Sequence, residues 1–116
     1  MKILDRIFAW ILLLLGCVHG VGTFLVYKTL VIDAVWFFCG ALAVIFGALF
    51  NLARISRPAD RLVAGLTVIV NLILLAVFVA VVPWILRHDL KANPQVIVLA
   101  AALIVEFVLS LLQWLR

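Results

Sequence analysis

The stretch ALIVEFVLS places one carboxylate, Glu106, in the middle of an apolar run. An ionised carboxylate at the centre of a bilayer costs at least ~2.5 kcal/mol on the most lenient insertion scale, so such a group is neutral, paired or wetted. Two roles are open to it, a proton or cation site and a polar tie between helices. His19 stands in another apolar run, LLGCVHGVGTF. An imidazole there can relay a proton, pair with a carboxylate or tie helices together. Asn71, also surrounded by hydrocarbon, can hydrogen-bond to either. Asp33 could pair with Lys28 or Arg87, as a gate or as an ordinary interfacial ion pair, and the Trp36 ring could stack on an apolar ligand. His19, Asp33, Trp36, Asn71 and Glu106 are thus the candidate binding or proton-relay residues, and no catalytic residue is assigned. No metal or cofactor is expected. Cys17 and Cys39 come without a CxxC or His-rich tract, and Cys17 lies about 160° around a helix from His19. The chain has no Ser-His-Asp arrangement and no Gly-rich phosphate loop, which makes an enzyme the weakest of the functional readings.

These residues need elements to position them, and the composition says which. Of the 116 residues 70% are hydrophobic and 12% charged, too apolar for a soluble core of this size. Four apolar segments stand out, about 7–26, 34–52, 62–85 and 95–115. Each is close to the ~20 residues that cross a hydrocarbon layer, and backbone groups in lipid must bond within their own segment, so each is a helix. The connections are short, which makes neighbouring helices antiparallel. The expected fold is an all-α, single-domain transmembrane four-helix bundle over 1–116. Asn93-Pro94 offers a cap and a first-turn proline for the fourth helix, and Asp60 suits the start of the third. Pro83 is expected to kink or fray the last turn of the third.

Lys and Arg orient the bundle. Lys2, Arg6, Arg54, Arg57, Arg61 and Arg116 make six on one side, against Lys28, Arg87 and Lys91, three, on the other. The positive-inside rule puts both termini and the Arg54–Arg61 turn in the cytoplasm, in a bacterial inner membrane. Tyr27, Trp36 and Trp84 then mark the outer interface, and Trp10 and Trp114 the inner one. The net charge of +4 belongs to this topology and to anionic lipid, not to nucleic acid.

Helical spacing predicts one polar stripe per helix. His19 shares a face with Ala9, Leu12, Gly16, Gly20, Thr23 and Tyr27. Asp33, Trp36, Gly40, Ala43, Gly47, Asn51 and Arg54 form the second stripe. Asp60, Ala64, Thr67, Asn71, Phe78 and Val82 form the third, and Gln95, Leu99, Ala102, Glu106, Ser110 and Gln113 the fourth. Gly16, Gly20, Gly40 and Gly47 are the expected close-packing positions. Depth groups His19, Asn71 and Glu106 near the midplane, and Asp5, Asn51, Arg54, Asp60 and Gln113 at the cytoplasmic end. Arg54 is read as a structural or topological residue that caps Asp60 or reaches lipid phosphate.

The start has a second reading. Lys2, Arg6 and Leu14-Leu15-Gly16-Cys17 fit a lipoprotein signal cleaved before Cys17. Asp5 in the basic region and the apolar run beyond Cys17 argue for an intact span. The stretch DAVWFFCGALAVIFGALFNLAR, Asp33 to Arg54, resembles small four-helix bacterial membrane proteins of unknown function, through D-x-x-W-F-F-x-x-x-L-A-x-I-F-x-x-x-x-N with His19 upstream. In architecture the chain is similar to the DoxX-like group. It is also similar in length and helix number to small multidrug-resistance transporters. Those carry an essential glutamate in the first helix, where this chain has His19, and its one glutamate is Glu106 in the last.

Three functions follow as expectations. The first is a structural or accessory membrane component, packing with itself or with a larger complex in the bilayer. The second is a small proton-coupled transporter or binder of an apolar or cationic solute, centred on Glu106. The third is a membrane redox or lipid-modifying enzyme using His19, Asp33 and Glu106.

Overall fold

The computed structural model describes residues 2–87 and 94–116. The described residues form four helices: α1 (Lys2–Val26), α2 (Ile32–Ser56), α3 (Arg61–Arg87) and α4 (Gln95–Leu115). All four are long and apolar enough to cross a membrane. They run antiparallel to their chain neighbours in a bundle of 45 × 24 × 21 Å, and its long axis exceeds the ~30 Å of a hydrocarbon core. The helices therefore continue past the apolar spans into what would be headgroup territory. That extension places Asp5 in the first turn of α1 and Arg54 in the last turn of α2.

Local chemistry explains the boundaries. Asp60 caps α3, its Oδ1 accepting the Val63 N–H at 3.0 Å. It therefore takes no part in a charge cluster with Arg54. Pro94 sits at the entry to α4 with φ −62° and ψ −24°, already helical. Asn93, Lys91 and the Trp84 side chain lie outside the described residues. The last turn of α3 does not fray at Pro83: the helix runs on to Arg87.

The stripe expected on α1 is the one buried: Ala9, Leu12, Gly16, Gly20 and Thr23. On α3 it is Ala64, Thr67 and Asn71. On α4 it is Ala102, Glu106 and Ser110, joined by Leu103 and Leu109. The core proper gathers Leu12, Ala48, Ala102 and Leu103.

On α2 the expected stripe holds at one end only. Gly47, Asn51 and Arg54 are buried, but in the first half of the helix the inward residues are Ala34 and Ala41. Trp36 is 72% exposed, and Gly40 has no neighbour within 4 Å of where a Cβ would lie. The buried face shifts around the helix because its neighbours change along it. Near Arg54, α2 faces the bundle interior. Farther up it lies on α1, where Gly20 approaches Ala41 and Phe24 meets Phe38 edge-on at 5.6 Å.

Two glycines set the close approaches. A Cβ on Gly16 would sit 2.7 Å from Ile45 Cγ1 and 3.1 Å from the Ile45 backbone nitrogen. A Cβ on Gly47 would collide with Leu74. At Gly20 the nearest atom would be Ala41 Cβ at 3.5 Å, an ordinary contact. We predict that Gly16→Ala destabilises the bundle by about 1–3 kcal/mol through overpacking against α2 backbone. Gly20→Ala and Gly40→Ala should leave the thermal midpoint in detergent within a degree or two of wild type.

Candidate functional site

Polar residues from all four helices gather around one guanidinium. Arg54 is completely buried. Its Nη1 donates to Asp5 Oδ2 at 2.9 Å and to Gln113 Oε1 at 2.8 Å. Its Nη2 donates to Asp5 Oδ1, to Asn51 Oδ1 at 3.2 Å and to Glu106 Oε2 at 3.0 Å. One side chain from the last turn of α2 thereby holds α1 through Asp5 and α4 through Glu106 and Gln113. Asp5 presents both oxygens to the two nitrogens in the planar fork geometry that arginine fits best.

Asparagines extend the cluster to α3. Asn51 Nδ2 donates to Asn71 Oδ1 at 2.8 Å, and Asn71 Nδ2 donates back to Asn51 Oδ1 at 3.0 Å. Asn71 Nδ2 also reaches the Glu106 carbonyl and Ser110 Oγ, each at 3.1 Å. Gln113 Nε2 donates to the Arg54 carbonyl at 3.5 Å and the Pro58 carbonyl at 3.4 Å, closing the end of the bundle. Asn51, Arg54, Asn71, Glu106 and Ser110 are all inaccessible to solvent, and Asp5, with its side chain 13% exposed, is the charged member nearest the surface. Two charged atoms in the cluster have no hydrogen-bond partner among the described residues, Arg54 Nε and Glu106 Oε1.

The midplane cluster expected from depth is thus redrawn. Asn71 and Glu106 do meet, but the partner of the Glu106 carboxylate is Arg54, not His19. Arg54 takes the structural role, gathered with Asp5, Asn51 and Gln113 as expected from depth, and does not cap Asp60. It carries the cluster, and sequence reasoning gave it too small a role. A signal was present: Asn51 and Arg54 share the polar stripe of α2, and an arginine on an inward stripe needs acidic partners. His19 is half-buried beside α2, its ring stacked on Phe37 at 3.7 Å between centroids. Tyr27 lies against the same Phe37 ring at 5.9 Å. The imidazole belongs to an aromatic contact between α1 and α2 and makes no hydrogen bond to Asn71 or Glu106.

Asp33 and Trp36 lie exposed at the start of α2, outside the polar cluster. Among the described residues Asp33 forms no ion pair with Lys28 or Arg87. Also among the described residues, no three His, Cys, Asp or Glu side chains gather where a metal could sit. Cys17 and Cys39 are free thiols on the outer surface of the bundle. Chemically, the arrangement can bind helices together and can hold a proton. With both acids ionised, two carboxylates face one guanidinium, which leaves one negative charge in excess.

No protein-family profile, no curated protein and no solved structure matches this chain.

Removing one partner from a buried ion pair strands the other charge, at a cost of about 3–5 kcal/mol. Arg54→Met should therefore lower stability by roughly that amount in detergent unfolding. The double variant Arg54→Met/Glu106→Leu should recover a substantial part of the loss. For the second site, His19→Phe should retain wild-type stability, while His19→Ala should lose about 0.5–1.5 kcal/mol of ring stacking.

Proposed function

We propose that this chain is a small multi-pass protein of the bacterial inner membrane with both termini cytoplasmic. Its role is that of a structural or accessory component of the bilayer, packing with itself or with a larger membrane complex. One observation carries the reading: the polar residues around Arg54 are bonded to one another and sealed from solvent, as in Arg54–Glu106 and Asn51–Asn71. A carrier needs such groups facing a solute path, whereas a scaffold needs them facing each other. The small residues on the outward half of α2, Gly40 and Ala43, support the same role, because a neighbouring helix can approach closely there. The six-to-three excess of Lys and Arg supports the orientation. The likeness of Asp33–Arg54 to small four-helix bacterial membrane proteins of unknown function supports the bacterial setting.

One feature favours a second reading, a proton-coupled binder. Asp5 and Glu106 share the single Arg54 guanidinium, and Glu106 Oε1 has no partner among the described residues. One proton on the pair of acids would balance the cluster.

The test is proton flux in vesicles. Purified protein in liposomes loaded with a pH-sensitive dye should leak protons no faster than empty liposomes under an imposed potential, and Glu106→Gln should behave alike. A flux in the wild type that Glu106→Gln abolishes would overturn the structural reading and establish the second.

A further inference from the structure

The first turns of α1 carry Lys2, Asp5 and Arg6 in one short segment. Read along the chain, the acid lies beside the two bases and offsets one of them. The fold separates them. Asp5 turns into the bundle, where both carboxylate oxygens are taken by Arg54, and only 13% of its side chain stays exposed. Lys2 and Arg6 remain on the outer surface, and neither has an ion-pair partner among the described residues. The first-turn N–H groups of α1 add the positive end of the helix dipole at the same level.

Below these two cations the exposed face of α1 carries a shallow, open furrow lined by side chains of that helix alone. A groove of about 550 Å³ has Lys2 and Arg6 at its head and Ile3, Ile7, Trp10 and Leu14 along its length. From Lys2 to Leu14 the helix rises about 18 Å, close to the depth of one leaflet of a ~30 Å hydrocarbon core. The groove is thus charged at headgroup depth and apolar along the depth of an acyl chain. Trp10 is 56% exposed and forms one wall.

We propose that this groove is a binding site for an acidic phospholipid. Lys2 and Arg6 hold the phosphate, and one acyl chain lies along Ile7, Trp10 and Leu14. The occupant follows from charge. A phosphatidylglycerol-type headgroup keeps a net negative charge against two unpaired cations. A phosphatidylethanolamine headgroup brings an ammonium into the same space, and its net attraction is lost. The site rests on the membrane placement proposed above but not on the choice between scaffold and carrier.

The experiment uses the intact protein in phosphatidylethanolamine vesicles containing a small fraction of phosphatidylglycerol brominated on its acyl chains. Bromine quenches tryptophan on contact. Quenching beyond that given by the same fraction of brominated phosphatidylethanolamine measures enrichment at the protein. Wild type should show several-fold enrichment. Each cation near an anionic lipid surface contributes about fivefold, so Lys2→Gln/Arg6→Gln should bring the excess close to none. Arg57→Gln/Arg116→Gln, which removes two exposed cations of the same end but outside the groove, should leave it unchanged. Trp10→Phe, which keeps both cations, should remove the excess quenching while lipid co-purification persists.

Equal loss in the two charge-neutralised variants would mean diffuse attraction to the basic end and overturn the site. Unchanged quenching in Trp10→Phe would place the lipid elsewhere and do the same. Displacement by millimolar inorganic phosphate would make it an anion site and not a lipid site. Alkaline carbonate extraction of each preparation separates these outcomes from failure of the membrane placement itself, because only a protein that is not inserted is released.

Discussion

The bundle depends on one buried cation. A guanidinium taken out of water costs several kcal/mol unless it is paired, and both terminal nitrogens of Arg54 find acceptors, from α1, from α4 and from its own helix. The constraint works in both directions. Glu106 and Asp5 would be equally costly without the guanidinium, so the three groups stand or fall together. Asn51 and Asn71 then tie α3 into the set through their reciprocal amide bonds. Each of the four helices contributes at least one member, and this end of the molecule is held by directional bonds in place of simple apolar contact. In lipid that distinction matters, because hydrocarbon side chains gain little by leaving hydrocarbon solvent.

The other end is held differently. There α1 and α2 pack through Gly20 on Ala41, His19 on Phe37 and Phe24 on Phe38. The contacts are of shape and ring stacking, with no ion pair among the described residues. The bundle thus has a polar lock beside its termini and an aromatic contact away from them. The same lock has a consequence on the outer surface. By drawing Asp5 inward it leaves Lys2 and Arg6 uncompensated, so the interior charge arrangement sets the electrostatics of the α1 groove.

Helical spacing was enough to assign most of the interior. The buried sets of α1, α3 and α4 follow from three- and four-residue steps, because a helix with one neighbour-facing side buries residues at that spacing, on α3 as far as Asn71. The same rule misplaced Trp36 and Gly40. It assumes that the inward direction is constant, and on α2 that direction turns from the bundle interior to α1. Spacing also separated Arg54 from Glu106 by depth. It locates Cα atoms and is silent on the reach of a long side chain and on how far α4 is shifted along α2.

What the sequence alone determined is the four-helix architecture and its apolar character. A chain this apolar, cut by short polar turns into helix-length segments, favours helices that bond their own backbones, and all four are long and apolar enough to cross a membrane. What only the tertiary structure decided is the pairing: Arg54 with Asp5 and Glu106, His19 with Phe37, and Lys2 with Arg6 over an open groove. The physical reason is that composition and period are properties of each helix by itself. Partnership depends on the axial offset and rotation between helices, which are set only when all four pack at once.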